Sequence, residues 1–187
     1  MTPSRRSFLK SVALYAALPR LHATPEDLWG GPVLDLHFHM RRTPEQNVAH
    51  LDGCGVSNAN LLTSAAAADR VRDIQAQLPG RFTWFASADI TKPEAEQQLS
   101  AAVKAGAGGL GEIKFHVAAD GPELRRMYSL AADLDVPILI HFQEVPHTPT
   151  EGVFSTGFKS FETVLKAYPK RRFIGHADAF WANISAE

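Results

Sequence analysis

Asp35-Leu36-His37-Phe38-His39 closes a short run of apolar residues. The period-two geometry of a strand would send Asp35, His37 and His39 to one face and Leu36 and Phe38 to the other. Two imidazoles on one face can chelate a single ion, because neutral imidazole is a good ligand for zinc and similar metals. A pair of hydrogen-bonded structural histidines would give the same pattern. His141 closes Pro137-Ile138-Leu139-Ile140-His141, and His176 closes Phe173-Ile174-Gly175-His176. In parallel α/β folds sites assemble at the carboxyl ends of strands, so histidines recurring there favour a metal or catalytic cluster. Glu112, Lys114 and His116 share parity along another apolar stretch, with Ile113 and Phe115 facing away. A Glu or Lys among the histidines would bridge a metal, tune its water or hold a substrate carboxylate; a salt-bridged barrel interior is the alternative. His50 reads as a helix-face residue.

The elements that must position these residues are legible from composition and periodicity. Strands are expected over 33–38, 56–62, 82–86, 109–115, 136–142 and 173–175. Helices are expected over 44–51, 65–78, 93–105, 123–134 and 158–167. Thr43-Pro44-Glu45 and Lys92-Pro93-Glu94 put proline in the first turn, and Gly53, Gly80 and Gly106 mark helix stops. Strands alternating with helices make βαβ units and a parallel sheet, either doubly wound or most of a (β/α)8 barrel.

Composition narrows the function classes. The chain has 187 residues, with 19 Lys+Arg against 20 Asp+Glu, so no basic excess points to nucleic acid or an anionic membrane. A single cysteine, Cys54, excludes an intramolecular disulfide and a Cys-based zinc cluster. Gly106-Ala107-Gly108-Gly109-Leu110-Gly111 has dinucleotide-motif spacing, but it leaves a helix and enters a strand. A pyrophosphate site needs the opposite order, so that the phosphates meet a helix amino terminus. Asn183-Ile184-Ser185 matches a glycosylation sequon, which has little weight beside an amino-terminal Arg5-Arg6 pair and apolar run of bacterial export type.

Ser4-Arg5-Arg6-Ser7-Phe8-Leu9-Lys10 pairs two arginines ahead of the apolar run Val12 to Leu18, which is far too short to span a bilayer. This order resembles a twin-arginine export signal cleaved near Ala23, which implies a periplasmic location and a mature domain over 24–187.

The segments VLDLHFHM, GRFTWFASAD, GLGEIKFHVAAD, VPILIHFQE, TGFKSFETVLKAYP and FIGHADAFWANI together resemble the amidohydrolase superfamily, in its amidohydrolase 2 branch of metal-dependent hydrolases and decarboxylases. The resemblance implies a (β/α)8 TIM-barrel fold and a divalent ion, most often zinc, held by His37, His39 and His141. His176 corresponds to the histidine that ligates metal or orients the nucleophile in that family. Glu112 or Lys114 takes the fourth-strand catalytic position, and the two are left open. Lys114, Arg41 and Gln143 are the candidate contacts to a small-molecule substrate, with Arg42, Glu144 and Trp181 nearby in sequence. The implied reaction is metal-assisted hydrolysis of an amide, ester or lactone-type carbonyl; the alternatives are decarboxylation at the same constellation and an inactive remnant. The family's eighth-strand aspartate has no counterpart, and Asp178 follows His176 too closely to replace it. About six βα units of an incomplete barrel are therefore expected, with a homo-oligomer as one means of closing it.

Overall fold

The computed structural model describes residues 29–152 and 156–185, so the expected export signal lies outside the described residues. Six parallel strands form one sheet in sequence order: β1 (Leu34–His39), β2 (Asn58–Ser64), β3 (Phe82–Ser87), β4 (Gly109–Ile113), β5 (Ile138–His141) and β6 (Phe173–His176). Between them run α1 (Pro44–Gly53), a 3-10 turn (Ala65–Ala67) leading into α2 (Ala68–Gln77), α3 (Ala95–Lys104), α4 (Pro122–Asp133) and α5 (Phe161–Ala167), and α6 (Asp178–Ile184) follows β6.

The helices start where local chemistry allows. At α1 the Thr43 side chain accepts from the Gln46 backbone amide and Pro44 occupies the first turn, where its missing N–H costs nothing. Gly106, at φ 105°, turns the chain from α3 into β4. The glycine-rich run is thus a helix-to-strand connection, as its order in the sequence implies. Proline enters α4 as well, so that helix starts one residue before the expected 123.

The sheet is curled. Ring centroids of His37 on β1 and His176 on β6 lie 3.7 Å apart. In a flat sheet the five strand spacings between them would separate the edges by ~24 Å. The curl brings the carboxyl ends of the first and last strands to face each other. These are six βα units of a (β/α)8-type barrel, with β1 and β6 unpaired to each other among the described residues.

Burial grades from the middle of the sheet to its edges. β2 buries Ala59, Asn60, Leu61 and Leu62, and β5 is buried along its whole length. On the helix side Val71, Ile74, Leu99, Leu124 and Met127 complete a core in which Trp84 is 1 % exposed. At the β1 edge Phe38 is buried under α1, with His50 and the Arg41 guanidinium against its ring, while Leu36 on the same face is 58 % exposed. The expected alternation therefore holds for direction, and burial follows from which strand faces have a helix over them.

Two expectations need correction. β4 stops at Ile113 instead of 115, and the register shift between Leu110 and Ile113 ends the simple parity of Glu112, Lys114 and His116. Gly111 allows this close approach, since a Cβ there would lie 2.7 Å from the Leu139 carbonyl oxygen at a φ of 136°. The short helix α6 was not expected; Phe180 from it packs its ring on Gly175, where a Cβ would lie 2.1 Å from the ring. Among the described residues no helix is long and apolar enough to cross a membrane.

Candidate functional site

His39, His141 and His176 are the last residues of β1, β5 and β6, and His37 lies two residues before the end of β1. All four rings meet around the Glu112 carboxylate, whose side chain is only 7 % exposed. The bulge in β4 aims that carboxylate into the curled sheet, where each oxygen serves a different pair. Oε2 faces His37 Nε2 at 3.6 Å and His39 Nε2 at 3.4 Å. Oε1 faces His141 Nδ1 at 2.5 Å and His176 Nε2 at 3.8 Å. Two groups capable of holding a metal ion therefore share Glu112: His37, His39 and Glu112, and Glu112, His141 and His176.

The first group fits a divalent ion. His37 Nε2 and His39 Nε2 are 3.2 Å apart, and with Glu112 Oε2 they form a triangle with sides of 3.2, 3.4 and 3.6 Å. Ligand atoms ~2.0–2.1 Å from a tetrahedral ion stand ~3.4 Å apart, close to all three sides. The donor chemistry agrees, since two imidazole nitrogens and a carboxylate oxygen are all electron-pair donors aimed at one another. The second group is less regular, because the 2.5 Å contact between His141 and Glu112 is a direct hydrogen-bond distance.

Electrostatics keep these groups in ligand form. Burial lowers the pKa of His37, partly opposed by Glu112. Burial also depresses His176, assisted by the neighbouring His37, to about 4. For Glu112 burial alone would raise the pKa, but the hydrogen bond from His141 and the charges of His141, His37 and His39 outweigh it and hold the carboxyl below its usual value. Near neutral pH the centre thus presents an ionised carboxylate and at least two neutral imidazoles. His37 Nδ1 is buried with no hydrogen-bond partner among the described residues, as are Asn47 Nδ2 and Arg81 Nε.

The remaining candidates sit around this centre. Lys114 lies just beyond β4, 39 % exposed, with its ammonium 3.6 Å from Glu151. It is thus outside the imidazole cluster, and of the two fourth-strand candidates Glu112 is the one among the histidines. The Arg41 guanidinium lies 5.6 Å from the Phe38 ring centroid, on the outer face of β1. Its backbone is held from both sides, Asn47 Oδ1 accepting from Arg41 N at 2.8 Å and the Arg70 guanidinium donating to the carbonyls of Arg41 and Arg42. Gln143 is fully buried against His141. His50 is on α1 beside Phe38, and Asp178 pairs with His147 at 3.4 Å. His116, Glu144 and Trp181 are exposed.

Glu151 was missed from the sequence. It accepts from the His147 backbone amide at 2.5 Å and from Gln143 Nε2 at 3.2 Å while facing Lys114. An acidic residue in a polar loop carries no periodic signal, and only its three-dimensional neighbours reveal this role.

An open (β/α)8-type sheet with a histidine cluster at its carboxyl rim is the class of architecture these observations define. Among solved structures, the chain is similar to a Staphylococcus aureus protein assigned as an amidohydrolase, at 17 % identity and a TM-score of 0.59, covering 78 % of this chain and 67 % of that one. It is also similar to 2,6-dihydroxybenzoate decarboxylase from Rhizobium, at 16 % identity and a TM-score of 0.51 over 77 % of this chain and 65 % of that one. A third is 5-carboxyvanillate decarboxylase from Novosphingobium aromaticivorans, solved with bound manganese, at 18 % identity and a TM-score of 0.54 over 70 % of this chain and 48 % of that one. At such identities the likeness is one of fold, and the chain spans about two thirds of the length of the first two and about half of the third. No protein-family model and no curated protein sequence matches the chain.

Proposed function

We propose that this chain carries the metal-binding half of a metal-dependent hydrolase of the amidohydrolase type, acting on an amide, ester or lactone-type carbonyl. The single observation that carries the reading is the convergence of His37, His39, His141 and His176 on Glu112. His37, His39 and Glu112 are the residues that would hold a divalent ion, with His141 and His176 beside them as further ligands or as proton carriers. Zinc is the ion favoured by imidazole-rich donors. When bound, the ion supplies positive charge that polarises a carbonyl and acidifies water.

The chain's own residues divide the remaining work. Glu112, kept ionised by its histidine neighbours, can accept a proton from an attacking water at Oε1. His176, predominantly neutral at pH 7, can donate a hydrogen bond to an oxyanion developing beside it. Lys114 can pair with a substrate carboxylate only after giving up Glu151 for it, while Arg41 would contact an anionic substrate only at the outer rim.

Decarboxylation at the same site is the second reading, favoured by the two decarboxylases among the similar folds. Product analysis separates the two: release of carbon dioxide without water consumption would sink the hydrolase reading. The first test is elemental analysis of the purified chain, with one equivalent or more of divalent metal expected. Chelation that changes neither metal content nor melting temperature would refute a metal centre. Export through the twin-arginine route belongs to the same proposal, with Arg5 and Arg6 as the recognition pair. Replacing both with lysine should leave the protein in the cytoplasmic fraction, and unchanged periplasmic yield would count against that address.

A further inference from the structure

We propose that Glu151 is a built-in competitor at a carboxylate-binding site on Lys114, and that an organic anion with a free carboxylate is the class of ligand that displaces it. The two Glu151 oxygens are held differently. Oε2 accepts from the His147 backbone amide at 2.5 Å and from Gln143 Nε2 at 3.2 Å. Oε1 faces the Lys114 ammonium at 3.6 Å. A formed hydrogen bond between an ammonium and a carboxylate spans about 2.7–2.9 Å, so charge alone holds this pair. Neither partner is sealed from solvent, the side chains being 39 % and 20 % exposed. A carboxylate arriving from solution therefore has a direct bond to make with Lys114, and Glu151 keeps both donors to Oε2 when it yields.

Other bonds fasten the loop that carries Glu151. Thr156, 1 % exposed, bonds the carbonyls of Phe115 and Val117 at 2.8 and 2.6 Å and accepts from the Gln143 backbone amide at 3.0 Å. His147 lies 3.4 Å from Asp178 on the far side. A cation already occupied by the chain's own carboxylate sets a threshold, which rejects simple anions and admits a carboxylate that gains further contacts along the rim. Gln143 touches both Glu151 and His141, so Lys114 and the histidine cluster belong to one rim. That the ligand is the substrate rests on the proposed function; the exchange at Lys114 does not.

The test titrates the full chain with benzoate and follows the Lys114 and Glu151 backbone amides by nitrogen-15 NMR, with benzamide as the uncharged control of the same size. In the wild type benzoate should shift both amides saturably and benzamide should not. Glu151→Gln keeps an oxygen for the His147 amide but removes the competing charge. Because a partly exposed ion pair is worth little, this variant should bind benzoate about 2–5-fold more tightly. Lys114→Met should lose the saturable shift at Glu151. Unchanged or weaker binding in Glu151→Gln overturns the proposal, as does a shift that survives Lys114→Met or one that benzamide reproduces. Should Glu151→Gln fail to fold, the wild type still decides: benzoate must move the carbon-13 resonance of the Glu151 side-chain carboxyl, and a Lys114 that takes benzoate without disturbing it rejects the competition. A chain that takes up no divalent metal defeats the metal reading alone and leaves this titration readable; a failed competition leaves metal binding untouched.

Discussion

The two ends of the curled sheet hold charge in opposite ways. At the amino end Arg81, 7 % exposed, donates to Asp52 and to the Val56 carbonyl, and Asn58 donates to the Gly80 carbonyl at 2.8 Å. There the positive charge belongs to the chain and its acidic partner stands opposite it. At the carboxyl end four imidazoles share one carboxylate, and burial holds two of them below the ordinary histidine pKa. A self-contained ion pair stabilises a loop junction; an excess of electron-pair donors is the donor set that a cation site requires. Both ends are polar and partly buried, so burial and polarity alone do not separate structure from function. The balance of donors against acceptors does.

The sharpest way to break this contrast is at the rim. Replacing His37 and His39 together with alanine should abolish metal binding while leaving the melting temperature of the metal-free protein within a few degrees; retained stoichiometric metal would refute the first-strand assignment. The complementary change, Arg81→Ala, should destabilise by about 2–3 kcal/mol, because it strips Asp52 and the Val56 carbonyl of their partner. Denaturant unfolding measures this, and the folded fraction should keep its metal. A loss of metal without loss of stability in this variant would erase the distinction between the two ends.

The third prediction concerns pH. A depressed histidine pKa in the folded state means that the unfolded chain binds protons first, so stability is greatest above the unfolded value near 6.5 and falls as the pH drops. For His176 the loss should run from about pH 6.5 to about 4 and then level off. Discounted for the one-third exposure of the ring, it is about 1 kcal/mol, visible as a falling unfolding midpoint of the metal-free protein. A midpoint that rises over this interval would contradict a neutral His176. The smallest effect belongs to the sheet edge: Leu36→Ser should change stability by no more than about 0.5 kcal/mol, against about 2–5 kcal/mol for Leu61→Ala in the buried β2. Comparable losses at both positions would mean that Leu36 is covered in solution.

Much of this molecule was legible in its sequence because periodicity is local. The six strands, the helices between them, and the placement of His39, His141 and His176 at strand ends all follow from apolar runs broken by Gly and Pro. Parity along β1 correctly separated His37 from Phe38. Parity along β4 misled for Lys114 and His116, since the register shift after Leu110 is set by contact with β5, where Gly111 meets Leu139. Gln143 reads as a polar loop residue open to substrate; packing buries it behind His141.

The sequence by itself thus determined the element order, the parallel topology and which residue types stand at the strand ends, since each depends on neighbours within a few positions. Only the tertiary structure decided that Glu112, rather than Lys114, stands among the histidines, and that Gln143 and Glu151 lie behind them. The reason is physical: sheet curl and strand register act between residues far apart in the chain, and no local pattern encodes the 3.7 Å at which His37 meets His176.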